Sequence, residues 1–153
     1  MMDFRMSLEP HGWLDIVITS NEGTEIEIPA SFLSDAISDL TDKTSNLLEH
    51  ANEFLISIQT EPGEYRIKYS KISRELILFE LYEMDDNFSS EELFKGKLLI
   101  SEHVHTIKLL RMIYRELTKM KDLGMEEFKE RWSYDFPVNT YDKISTSIKK
   151  LKQ

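Results

Sequence analysis

The sequence predicts an α+β fold: an antiparallel sheet of five or six strands, one long helix after the first hairpin, and a C-terminal group of helices packed on the sheet. Three observations predict it. Apolar residues alternate with period two through much of residues 1–101, the pattern of strands with one buried face. They recur every three or four residues over 31–52 and along 102–153, the pattern of amphipathic helices. The stretches between strands are short, and short connections join antiparallel neighbours because a parallel crossover needs a dozen residues or more. One domain is expected over 1–153, strand-rich over 1–101 with the helix 31–52, and helical over 102–153.

The elements follow in order. In Trp13–Thr19, Leu14, Ile16 and Ile18 share one strand face. Ser20-Asn21-Glu22-Gly23 has turn chemistry, and the return strand, Thr24 to Ile28, turns Ile26 and Ile28 inward and Glu25 and Glu27 outward. Pro29, without an N–H for a ladder, is expected to end the strand. Over 31–52, Leu33, Ala36, Ile37, Leu40, Thr44, Leu47, Leu48 and Ala51 form one helical stripe, and Asp35, Asp39 and Asp42 fall on other faces.

Strands come next. Phe54, Ile56 and Ile58 alternate, Glu61-Pro62-Gly63-Glu64 turns, and Tyr65, Ile67 and Tyr69 alternate again. Leu76–Met84 is apolar on both faces for several residues, as a central strand would be. Its acidic end, Glu83 to Asp86, leads into a polar loop ending at Ser90. A last strand is expected near 93–101, with Phe94, Gly96, Leu98 and Ile100 on one face. Ile107, Leu110, Ile113, Leu117 and Met120 give a long helix, Gly124 a C-cap or hinge, and Met125, Phe128 and Trp132 a shorter stripe. After Phe136-Pro137, Asn139 or Thr140 is placed to cap a final helix bearing Tyr141, Ile144, Ile148 and Leu151.

Charge narrows the function classes. The net charge is −9, which argues against nucleic-acid binding, since that needs Lys and Arg to displace counterions. It is unevenly spread: residues 1–100 hold 20 acidic and 8 basic side chains, and residues 101–153 hold 8 and 11. Two layers of one domain explain this better than two domains, because no Gly/Ser/Pro-rich linker separates the halves. Without Cys, the chain has no disulfide, thiolate metal site or thiol nucleophile. No apolar run approaches the length of a membrane span, and Met1 to Met6 lacks the pattern of a signal peptide, so a cytoplasmic protein is expected.

Motifs for chemistry are sparse. His103 and His105 would share a strand face at a spacing that can chelate a metal, but His11 and His50 stand alone and no second cluster completes a ligand set. No nucleophile elbow, phosphate-binding loop or dinucleotide motif is present. Accordingly no catalytic residue, cofactor or metal is assigned. Trp132, Tyr134 and Phe136 read as core that docks the short helices, with a ligand pocket the lesser alternative.

Gly12-Trp13-Leu14-Asp15-Ile16, Glu61-Pro62-Gly63-Glu64-Tyr65-Arg66, Glu127-Phe128-Lys129-Glu130-Arg131-Trp132 and Phe136-Pro137 stand in this order along the chain. In them the chain resembles small uncharacterised bacterial proteins, some of the kind thought to act as immunity proteins for polymorphic toxins. The resemblance implies a bacterial cytosolic protein with a binding role and carries over no functional residue.

The expected function is an acidic protein-binding module, an immunity-type inhibitor of a basic toxin or enzyme, with neither nucleic acid nor membrane as partner. Its contact surface is expected among Glu25 and Glu27, Asp35, Asp39 and Asp42, and Glu83, Asp85 and Asp86. Two alternatives stand beside it: a small enzyme using carboxylates or the His103/His105 pair, and a structural or homo-oligomeric subunit. Oligomeric state is left open.

Overall fold

The computed structural model describes residues 1–87 and 92–152, leaving aside the side chain of Phe94. Its strands are β1 (Asp3–Glu9), β2 (Trp13–Thr19), β3 (Glu25–Ser31), β4 (Glu53–Gln59), β5 (Glu64–Lys71), β6 (Leu76–Met84) and β7 (Lys97–His105). Its helices are α1 (Ala36–Ser45), α2 (Thr106–Lys121), α3 (Met125–Trp132) and α4 (Val138–Leu151). The fold is α+β with antiparallel pairing throughout.

The expectation of one sheet with five or six strands is wrong. The strands form two sheets, of order β1-β2-β3 and β4-β5-β6-β7. The missed strand is β1, whose Phe4, Met6 and Leu8 alternate and are buried opposite Ile18, Ile16 and Leu14. The expected hairpin is therefore two-thirds of a three-stranded meander. Pro29 does not end β3. Phe32 N–H donates to Gly12 O at 3.1 Å, and this phase turns the N–H side of residues 25, 27, 29 and 31 away from β2. β3 is the margin of its sheet, so Pro29 removes no ladder bond.

The long helix is also corrected. Instead of 31–52, α1 covers 10 residues. Ser31 still belongs to β3, and the Asp35 carboxylate accepts the Ser38 N–H at 3.1 Å as the N-cap. Leu33 lies outside the helix and is exposed, whereas Leu47 is buried from the turn beyond it. β7 reaches to His105, past the expected end at 101, with a short 3-10 turn at Leu93–Lys95 before it. Pro137, not Asn139 or Thr140, stands at the N-cap of α4. The polar loop expected to end at Ser90 falls partly outside the described residues.

The inward faces of both sheets and the apolar faces of all four helices share one core. α2 packs on β1 and α4, and α1 lies between β4 and α4. The sheets approach each other where β3 nears β4, and Asn21 N–H bonds the Glu102 carboxylate of β7 at 3.0 and 3.1 Å. No helix among the described residues is long and apolar enough to cross a membrane.

Side chains from the helices occupy two sheet margins. On β1, Met6 N–H donates to Glu116 Oε1 at 2.8 Å. Arg115 donates to Phe4 O and Arg131 to Leu8 O, each at 2.9 Å. On β4, Ser57 N–H donates to Asp39 Oδ2 at 3.0 Å. Exposed strand margins invite pairing with other chains, and polar side chains bonded to them remove that opportunity. Glu116 is 1 % exposed and also pairs with Arg115 and Lys119, each at 2.7 Å.

Burial pushes the Glu116 carboxyl up, but Lys119, the Met6 N–H and Arg115 together outweigh it and hold the group below its ordinary value. A depressed carboxyl contributes stability above its unfolded pKa, about 4.3, and loses it as pH falls through the lower folded value. Glu116→Ala leaves the Met6 N–H buried without an acceptor and should cost about 1–3 kcal/mol in urea unfolding at pH 7. Glu116→Gln, which can still accept that bond, should cost less and flatten the loss of stability below about pH 4. An unchanged acid limb in Glu116→Gln would show that Glu116 does not govern it.

Candidate functional site

A concavity of about 510 Å³ opens where the ends of the two sheets come together. Trp13 and Pro29 form one wall, from β2 and β3. The β4–β5 turn supplies Thr60, Glu61, Pro62 and Gly63, and Tyr65 follows on β5. Glu83 and Met84 at the end of β6, Asp85 beyond it and Lys97 at the start of β7 complete the cleft. Glu61, Glu83 and Asp85 are exposed, and Trp13 and Tyr65 are half-buried, so rings and carboxylates face the same solvent-filled space.

Local sequence explains how the walls are held. Thr60 N–H donates to Gly63 O, and the Thr60 hydroxyl to Pro62 O, each at 2.9 Å. Gly63 has φ +119°, and a Cβ there would lie 2.8 Å from Thr60 Oγ1, so the turn needs glycine. Asn87, just beyond β6, closes on this turn with both ends of its amide. Its Oδ1 accepts the Gly63 N–H at 2.9 Å, and its Nδ2 donates to Thr60 O at 2.5 Å, Gly63 O at 2.6 Å and Gln59 Oε1 at 3.2 Å. The segment carrying Glu83 and Asp85 is thereby tied to the turn carrying Glu61.

The electrostatics are one-sided. Three exposed carboxylates face one ammonium, Lys97, which lies opposite Glu83 in the ladder. Glu64, also on the lining, is buried and bonded to Ser57 and Arg66. Tyr65 donates its hydroxyl to Glu83 at 2.9 Å. Burial, then this bond and the charge of Glu83, push the phenol above its ordinary value, so it stays protonated and keeps donating. Concave walls of low dielectric concentrate the field of such carboxylates and attract cations.

The residues singled out in the sequence are divided by the fold. Glu83 and Asp85 enter the cleft, and Asp86 is exposed just past it. Glu25 and Glu27 lie on the exposed side of β3. The acids of α1 carry bonds inside the fold. Asp35 caps α1 and accepts the Trp132 indole N–H at 2.8 Å. Asp39 receives Ser57 N–H and the Lys43 ammonium, the latter at 2.6 Å. Asp42 accepts the Asn46 amide at 3.2 Å. His103 and His105 are exposed on β7, and no group of three or more Asp, Glu or His among the described residues is arranged to hold a metal. Trp132 is fully buried and Phe136 nearly so, as core side chains.

Sequence reading missed Glu61 and Asn87 as parts of one site and left Trp13 unassigned. Trp13 does face away from Leu14 and Ile16, and that was the available signal. No known protein family, curated protein or solved structure matches the chain.

Asn87→Ala should leave the Thr60 and Gly63 carbonyls and the Gly63 N–H without this partner. It should cost about 1–3 kcal/mol and speed amide exchange at Gly63 ahead of exchange in β1. Equal acceleration at both places would mean that Asn87 supports the whole fold and not this turn in particular.

Proposed function

We propose that the protein is a cytoplasmic binding module that takes a cationic side chain of a basic partner protein into the cleft between its sheets. An immunity-type inhibitor of a basic toxin or enzyme is the form of this function to which the sequence resemblance points. The observation that carries the reading is the placement of Glu61, Glu83 and Asp85 beside Trp13 and Tyr65 in one concavity. An arginine or lysine entering there gains charge-assisted hydrogen bonds from the carboxylates and a ring face to lie against. Aromatic anchors within a polar rim are also the usual composition of energetically dominant contacts between proteins.

The net charge of −9 supports the same reading. Complementary fields speed the encounter with a cationic partner and weaken as salt screens them, with a Debye length of about 8 Å at physiological ionic strength. Glu25, Glu27 and Asp86 are exposed and add to that field without lining the cleft. Asp35, Asp39 and Asp42 add charge too, but their first task is to hold α1.

Trp13 provides the reporter. Trp132 is fully buried, so a Trp132→Phe variant that remains folded isolates the cleft signal. An arginine-rich peptide should perturb Trp13 fluorescence saturably, with weaker affinity as salt rises. Glu83→Lys combined with Asp85→Lys should reduce the affinity at least tenfold, as expected when close charge pairs are lost. A response that persists in the reversed variant would remove the cleft from the binding reaction.

A further inference from the structure

We infer that β7 is the strand through which two copies of this chain join, each β7 adding antiparallel to the other. The inference stands on the sheet margins and is independent of the cleft. Each sheet has two margins: β1 and β3 in one, β4 and β7 in the other. Three of the four are obstructed. On β1, Met6 N–H, Phe4 O and Leu8 O are taken by Glu116, Arg115 and Arg131. On β4, Ser57 N–H is taken by Asp39. On β3, Pro29 interrupts the outward row of N–H groups, and Glu25 and Glu27 set exposed carboxylates along it.

The margin of β7 is different. Thr106 N–H donates to Glu75 O at 2.9 Å, directly across the β6–β7 register. That bond sets the ladder phase: Ile77 with Val104 and Phe79 with Glu102 are hydrogen-bonded pairs, whereas His103 and Ser101 turn their N–H and C=O outward and His105 its N–H, the His105 C=O being taken up at the N-cap of α2. The same alternation, carried across β5, turns Ser57 outward on β4, where Asp39 indeed meets it. Among the described residues no side chain or further backbone group bonds the outward groups of Ser101 and His103 or the His105 N–H. All three residues are exposed. What satisfies such a row is another extended strand.

Charge selects a second copy as that strand. In a chain of net −9, most surfaces repel their own kind. The margin of β7 presents Ser101, His103 and His105, with His neutral in that sum, and its one carboxylate, Glu102, already accepts the Asn21 N–H. Lys97 and the exposed Leu98 extend the same strand. This margin therefore meets its own copy without opposing carboxylates, which β3 does not. A two-fold axis lets each β7 offer the same groups to the other and closes the assembly as a dimer, with the four-stranded sheets running into one.

Sedimentation velocity over a range of protein concentrations tests this. The unmodified chain should show a monomer–dimer equilibrium. His103→Pro, which deletes an outward N–H that no internal bond uses, should be monomeric. If His103→Pro fails to fold, Ser101→Lys with His103→Lys keeps every backbone group and opposes like charges across the junction, and it should be monomeric with the melting temperature that the unmodified chain has at dilutions where it is monomeric. Amide exchange at His103 and His105 should slow by roughly tenfold or more on going from dilute to concentrated protein. Glu83→Lys with Asp85→Lys should dimerise as before, which separates this inference from the function proposed for the cleft. A chain that stays monomeric when concentrated, or a dimer that survives the paired lysines, would overturn it. So would β7 amides protected only when a different protein is added, an outcome that assigns the margin to that protein.

Discussion

The carboxylate of Glu116 is the contact on which the arrangement of layers depends. It sits 1 % exposed beneath α2 and accepts the outward N–H of Met6 while two cations neutralise it. A buried carboxylate without such partners costs several kcal/mol, so α2 has one acceptable seat against β1. With α2 in place, Arg115 reaches Phe4 O, and Arg131 of α3 reaches Leu8 O. On the other sheet, Asp39 of α1 does for β4 what Glu116 does for β1. The helices thus do two jobs with the same side chains: they cover the core, and they stop the strand margins from pairing.

This arrangement explains the charge asymmetry along the chain. The first 100 residues carry the acidic excess and the last 53 the basic excess. In the fold these are layers in contact. Arg115 pairs with Asp3 at 3.1 Å, and Lys143 with Glu49 at 2.9 Å. The acidic residues left over collect where helices do not reach, including the cleft beside Trp13 and Tyr65. The exposed carboxylates of that cleft are among those the C-terminal helices leave unpaired by cations.

Strand character was legible wherever apolar alternation was unbroken. β2 and β6 match their expected limits, because Leu14, Ile16 and Ile18, and Ile77, Phe79 and Leu81, each fill one face. β1 has the same pattern in Phe4, Met6 and Leu8 and went unread at the start of the chain. Helix length was overread because Leu33 and Leu47 continue the helical stripe numerically while lying outside α1. Pro29 misled for a different reason: its effect depends on which side of the strand faces a neighbour, and ladder phase is not written in local sequence. The division into two sheets is equally non-local. Of the candidate site, Glu83 and Asp85 were accessible to reading by charge. Their union with Trp13 and Glu61 needed the fold, as did the grip of Asn87 on the turn at Thr60–Gly63.

The central claim is that a basic partner is received at the seam between the sheets. The most direct measurement is a residue-by-residue map of amide and indole chemical-shift changes as an arginine-rich peptide is titrated into the labelled protein. The account predicts the largest changes at the Trp13 indole, Glu61–Tyr65 and Glu83–Asp85, with α1 and the outer side of β3 nearly still. Changes concentrated on Glu25 and Glu27 or on Asp35, Asp39 and Asp42, with the Trp13 indole unmoved, would contradict it.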